Sequence, residues 1–226
     1  MHFLSKSTIA IFAALMISSG LHTQKKTTLF SPHKKSEWHV YTARSGKNND
    51  PQKVFQFEGN MIHVSGQDFA YLITEKKYSN FRLTVEFKWG EKKYPPRENA
   101  KRDAGILYHA DLYSGDKIWP RSLEYQIQEG DCGDFWMTDS TTILHKDTLT
   151  TPNKGAFNVV KIKDAEKPTG QWNVATVIVK DGNITHVLNG EIVNSAKLGN
   201  TKEGNIVLQS EGAEIYYRNV AVEELK

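Results

Sequence analysis

The chain is poor in cysteine, in cationic runs and, beyond its first residues, in apolar ones. Its 226 residues include one cysteine, Cys132, so no intrachain disulfide can form and the fold must hold by packing. A eukaryotic secreted domain of this size would carry several cysteines, which favours a bacterial origin for an exported chain. The formal charge is +3, with no basic arm and no arginine-rich helix, so nucleic acid is not the expected partner. No stretch after residue 20 is apolar enough to span a membrane. A sustained helical stripe is also missing, which excludes bundles and α/β layers.

The start of the chain does hold one apolar run. Lys6 precedes Ser7 to Ile17, and Ser18-Ser19-Gly20 supplies small residues for cleavage. Residues 1–20 read as a secretory signal peptide, with a periplasmic or secreted mature protein. Loss of Lys6 with the signal takes the charge from +3 to +2. Residues 21–36 read as a leader, and 37–226 as one domain.

Almost everything that follows alternates with period two. Phe81, Leu83, Val85, Phe87 and Trp89 interleave with Arg82, Thr84, Glu86 and Lys88, the clearest strand pattern in the chain. Glu58-Gly59-Asn60, Asp181-Gly182-Asn183 and Asn189-Gly190 punctuate apolar runs as hairpin turns. A dozen or so short strands, with charged or Thr/Asp/Gly-rich loops at 91–103 and 129–155, predict an all-β, two-sheet antiparallel sandwich. The first loop, with Lys92, Lys93, Arg97, Lys101 and Arg102, reads as a solvated lid.

One segment carries chemistry in its alternation. From Ser122 to Trp136, Glu124, Gln126 and Gln128 share one strand face, Leu123, Tyr125 and Ile127 the other. A turn with Asp131, Asp134, Phe135 and Trp136 follows. Carboxylates and amides beside flat aromatics suit a sugar, with hydroxyls at its edge and a C–H face for stacking. A polar strand edge followed by a solvated turn would show the same pattern.

Three segments together resemble a known family. They are Ala104-Gly105-Ile106-Leu107-Tyr108-His109 leading to Leu123-Glu124-Tyr125-Gln126-Ile127, then Gly170-Gln171-Trp172-Asn173 with Ile184 to Gly190, and finally Gly204 to Gln209 with Tyr217-Arg218-Asn219-Val220. In this order they resemble the 3-keto-disaccharide hydrolase-like family over roughly residues 37–225. The resemblance implies a concanavalin-like jelly roll, export, and a glycoside-cleaving enzyme acting on a carbohydrate, in some members after oxidation of C3 to a ketone. A C3 ketone acidifies the C2 hydrogen, so a base, an acid for the leaving oxygen and donors for the enolate suffice. No cofactor is required, though a divalent cation could polarise the ketone. Laminarinase-like relatives of the fold carry two glutamates on one strand. Here amides follow Glu124, which counts against double displacement on that strand unless Glu86 or Asp131 supplies a second carboxylate.

The resemblance makes Glu124 the expected acid/base, in a cleft on a concave sheet. His109, expected to project oppositely to Tyr108, could act as base, enolate donor or metal ligand, or end its strand structurally. Gln126, Gln128, Glu86, Trp119, Trp136, Asp131 and His186 are the candidate substrate-binding residues. Asp131 and Asp134 are equally Asx-turn formers, and the tryptophans equally core caps. A lectin-like carbohydrate-binding module is the alternative to an enzyme, because fold alone decides neither.

Overall fold

A computed structural model describes residues 26–29, 37–112, 117–150 and 156–226. The predicted signal peptide lies outside them. The described residues form eighteen strands and no α-helix. The first strands are β1 (Lys26–Thr28), β2 (Trp38–Thr42), β3 (Gly46–Lys47), β4 (Phe55–Glu58), β5 (Met61–Val64) and β6 (Ala70–Thr74). Next come β7 (Phe81–Lys93), β8 (Gly105–Ala110), β9 (Leu123–Gln126), β10 (Phe135–Thr138), β11 (Ile143–His145) and β12 (Thr148–Thr150). The chain ends with β13 (Ala156–Val159), β14 (Asn173–Lys180), β15 (Asn183–Leu188), β16 (Glu191–Leu198), β17 (Asn205–Ser210) and β18 (Ala213–Glu224).

They make two antiparallel sheets. The larger runs β12-β11-β16-β15-β14-β7-β18-β5-β4, with β1 also on β18; the smaller runs β13-β10-β9-β8-β17-β6-β2-β3. The predicted leader therefore contains a strand, since Lys26–Thr28 pairs with Ala221–Glu223. The Thr/Asp/Gly-rich segment expected to be a loop at 129–155 holds β10, β11 and β12. They are short, three or four residues each, and so leave little periodicity to read. Phe157 to Lys163 is a strand only to Val159.

Alternation builds the core. Leu83, Val85 and Phe87 of β7 meet Ile106, Tyr108, Leu123, Tyr125, Phe135 and Leu208 of the smaller sheet in one buried cluster. Burying such side chains is worth about 1.5–3 kcal/mol each, which is what fixes the strand register. At the hairpin between β15 and β16, Asn189 and Gly190 have φ of 52° and 90°, as a type I′ turn demands.

The face of the smaller sheet turned away from the core carries a second cluster. Tyr71, Ile73, Leu107, Ala110 and Val207 are buried there, with Tyr41, Leu112 and Trp119 packed against them. Register sets two rows across this open face. Trp136, Glu124 and Leu107 are cross-strand neighbours, continued by Val207, Ile73 and His39. Gln126 lies opposite Gly105 in the second row, and Gln209, Tyr71 and Tyr41 continue it.

Candidate active site

The open face is built by the same period-two rule that makes the core. Glu124 and Gln126 on β9, Gly105 and Leu107 on β8, and Val207 and Gln209 on β17 all point away from the partner sheet. Asp103 precedes β8 by two residues and Glu211 follows Gln209 by two, so both join this face. A Cβ at Gly105 would collide with Glu124 Oε1 and Gln209 Oε1. Glycine at this position is what lets the two side chains fold over the strand.

Asp103, Glu124 and Gln209 are 4%, 6% and 2% exposed, low figures for two carboxyls and an amide on an outward sheet face. The lid loop explains it. Tyr94 N–H donates to Gly212 O at 2.8 Å, bringing Arg97 inward against Asp103 Oδ2 (2.5 Å) and Glu211 Oε1 (3.8 Å). The expectation of a wholly solvated lid is thus corrected. Exposed Lys101 does stay outside, on half-buried Asp131 at 2.8 Å, and Arg102 pairs with Glu129 at 2.9 Å. Gln128 Nε2 donates to Asp103 Oδ2 at 2.6 Å.

Several polar atoms in this cluster lack a partner. Arg97 Nε, Asp103 Oδ1 and Gln209 Oε1 are buried without a hydrogen bond among the described residues. Leaving such groups unpaired costs about 1–3 kcal/mol apiece, so their concentration in one place makes this cluster the candidate site.

The protonation states follow from burial. Burial pushes Glu124 well above the usual carboxylate range, and the charges of Glu211 and Asp103 add to the effect. Burial likewise raises Glu211 to about 8, with Asp103 reinforcing and Arg97 opposing. Burial raises Asp103 to about 6, with the Arg97 guanidinium and the Gln128 amide opposing. Near neutral pH the set therefore pairs one ionised carboxylate, Asp103, with protonated neighbours. Such splitting separates a base from an acid.

The other sequence candidates divide by face. Trp136 is half-buried directly opposite Glu124, and Trp119 belongs to the open-face cluster beside Phe69 at 6.1 Å. Gln126 is buried on the same face, its Oε1 accepting from Ile127 N–H at 3.0 Å. Asp134 accepts from Lys161 N–H at 2.8 Å, a structural bond. Glu86 sits on the other sheet, bound to Arg218 at 2.7 Å and Asn219 at 2.8 Å.

The two histidines are corrections. The bulge where β8 meets β17 puts Tyr108 and His109 opposite Ile206, and His109 has φ of 47°. A bulge of this kind turns two successive side chains to one side. His109 consequently packs on Phe81 and bonds Thr201 Oγ1 (3.1 Å) and Ser79 O (3.2 Å) rather than joining Glu124. His186 lies between the sheets, completely buried. Its Nδ1–H donates to Gly133 O at 3.0 Å, and Nε2 accepts from the Tyr108 hydroxyl at 2.9 Å. Burial lowers its pKa to about 3, so it remains a neutral core residue.

Sequence reading missed Arg97, Asp103, Gln209 and Glu211. Asp103 and Glu211 extend the alternation of Gly105-Leu107 and Val207-Gln209, a signal available once those strands are drawn two residues longer. Among the described residues no group of three or more His, Cys, Asp or Glu side chains is placed to hold a metal ion. None of the described segments is a helix long and apolar enough to cross a membrane.

Solved structures share this architecture. A candidate glycosyl hydrolase from Parabacteroides distasonis superposes with a TM-score of 0.57 at 22% identity, covering 84% of this chain and 89% of its own. Carbohydrate binding module CBM66 from Bacillus subtilis gives 0.57 at 10% identity, over 83% and 96% of the two chains. LamA from Zobellia galactanivorans, as its E269S variant with laminaritriose and laminaritetraose, gives 0.53 at 12%, over 84% and 92%. At these identities the likeness is one of fold, a jelly roll. No curated protein matches the chain. A family-wide sequence profile matches residues 25–223, nearly the whole chain, and by that match the protein belongs to the 3-keto-alpha-glucoside-1,2-lyase-like domain family.

Proposed function

We propose that the open face cleaves glycosides whose C3 carries a ketone, by elimination across C1 and C2 followed by hydration. Asp103 Oδ1 takes the C2 proton. The C–H electron pair passes into the enolate of the C3 ketone, and its return forms the C1=C2 bond as the C1–O bond breaks. The departing oxygen receives a proton from Glu124, held in its acid form by burial. Arg97 Nε–H faces the enolate oxygen, and Gln209 Oε1 accepts from a sugar hydroxyl. Water then adds across the enone to complete net hydrolysis.

The observation that carries this reading is the convergence of unpartnered Arg97, Asp103 and Gln209 atoms beside a protonated Glu124. Family membership supports the reaction class. The signal-type sequence at residues 1–20 supports placing the activity in the periplasm or outside the cell.

Purified protein given trehalose, 3-keto-trehalose and a plain β-glucoside tests the reading. The keto sugar should be cleaved and the others left intact, because only the ketone makes the C2 carbanion accessible. Equal cleavage of the parent sugars would favour direct hydrolysis by the carboxylates. Saturable sugar binding with no cleavage would favour the lectin-like alternative, which the CBM66 fold also accommodates.

A further inference from the structure

The two oxygens of Asp103 have different surroundings. Oδ2 meets the Arg97 guanidinium at 2.5 Å and accepts from Gln128 Nε2–H at 2.6 Å. Oδ1 is buried with no hydrogen bond among the described residues. The χ2 torsion of an aspartate is soft, so which oxygen faces a substrate depends on what grips the other. Arg97 divides itself between Asp103 and Glu211, which it approaches at 3.8 Å. Gln128 supplies the second grip.

The backbone delivers Gln128 to that place. Gly105 of β8 pairs with Gln126 of β9, and the ladder continues beyond both strands. Ile127 N–H donates to Ala104 O at 2.9 Å, and Glu129 N–H to Arg102 O at 3.0 Å. These bonds flank Asp103 and Gln128, which therefore face each other at a non-hydrogen-bonded position, where paired side chains come closest. Asp131 N–H closes a turn on Gln128 O at 2.8 Å, and Arg102 holds Glu129 at 2.9 Å. The chain is thus tied down on both sides of the amide.

From this geometry we infer that Gln128 is a positioning residue, holding Asp103 Oδ2 so that Oδ1 is turned to the sugar. The inference rests on the proposed cleavage, with Asp103 as base, and moves Gln128 from the substrate-binding residues to the support of the base. The residue type suits the task. An amide donates a hydrogen bond without titrating, so it steadies the ionised carboxylate and cannot take its proton. A glutamate in its place would set two carboxyls in contact, and the pair would share a proton.

Two readouts on the full chain test this. The first is a carboxyl ¹³C NMR titration of Asp103 in the resting protein, with Gln128→Met and Gln128→Glu beside wild type. Burial raises the proton affinity of Asp103, and the Arg97 charge and the Gln128 hydrogen bond oppose it. Loss of that bond in Gln128→Met should raise the affinity about threefold or more, and Gln128→Glu should raise it further. The second readout is steady-state kinetics on 3-keto-trehalose. In Gln128→Met kcat should fall about tenfold or more with KM within about twofold, and the acid limb of kcat/KM should move up in pH with Asp103. A raised KM with kcat unchanged would make Gln128 a substrate ligand and overturn the inference. So would lost activity with the Asp103 titration unmoved, the mark of a general structural effect. Should the wild type leave 3-keto-trehalose intact, the cleavage itself fails and the positioning role falls with it. Wild-type turnover thus decides the reaction, and the variants decide Gln128.

Discussion

Glu124 shows how one side chain acquires a role from its surroundings. On an ordinary outward strand face a glutamate is solvated and ionised. Here Arg97, folded in with the lid loop, and the side chains gathered over Gly105 leave it 6% exposed, and burial keeps its proton on. Because the acid is neutral near pH 7, Glu124→Gln is close to isosteric and isoelectric in the resting protein. We expect the variant to fold and to bind sugar nearly as wild type, while turnover of a 3-keto-glycoside drops about 10²–10⁴-fold. Steady-state kinetics alongside thermal denaturation would check this. Unchanged turnover would move the acid to Glu211. At this scale the sequence was informative for Glu124 and Gln126, whose positions follow from alternation alone, whereas Trp136, read as part of a turn, lies on β10. It was less so for Arg97, since nothing local distinguishes an arginine that folds inward from the exposed lysines Lys92 and Lys101 of the same loop.

Among the elements, legibility depended on length and regularity. The long alternating run of β7 and the Asn189-Gly190 hairpin were plain, since each sums many consistent local preferences. Strands of three residues, such as β11 and β12, carry too few positions for a period to emerge. His186 is an instructive miss. It alternates in phase with Ile184 and Leu188, both buried, so its core position was readable from β15 alone. His109 was not readable, because the bulge against β17 breaks the alternation that would have set it beside Leu107. The polar cluster itself needs β17 beside β8, a pairing of strands about a hundred residues apart that no local pattern announces. Drawing β17 next to β8 is what adds Gln209 and Glu211 to the face begun by Glu124.

The whole molecule bears the cost of the buried acids as a pH-dependent stability. Glu211 rises from 4.5 to about 8, so the folded state keeps a proton that the unfolded chain releases. Its stabilisation is complete below pH 4.5 and is lost as pH climbs to 8, at up to about 1.4 kcal/mol per pH unit for each retained proton. The buried histidines oppose this at lower pH. His186 and His109 are depressed from 6.5, so they add stability as pH rises towards that value. The carboxylates consequently dominate between about pH 6.5 and 8, where stability should fall and Glu211→Gln should flatten the decline. Denaturant unfolding across that range checks it, and an identical slope in the variant would contradict the assignment. The most direct test of the central claim, elimination on the open face, is proton exchange at C2 of a 3-keto-glycoside in deuterated water, followed by NMR with wild type and Asp103→Asn. The account predicts that the wild type puts deuterium at C2 of the recovered substrate or product, and that Asp103→Asn abolishes both exchange and cleavage. Cleavage without any C2 deuterium would show that the bond breaks by direct displacement and would contradict the account.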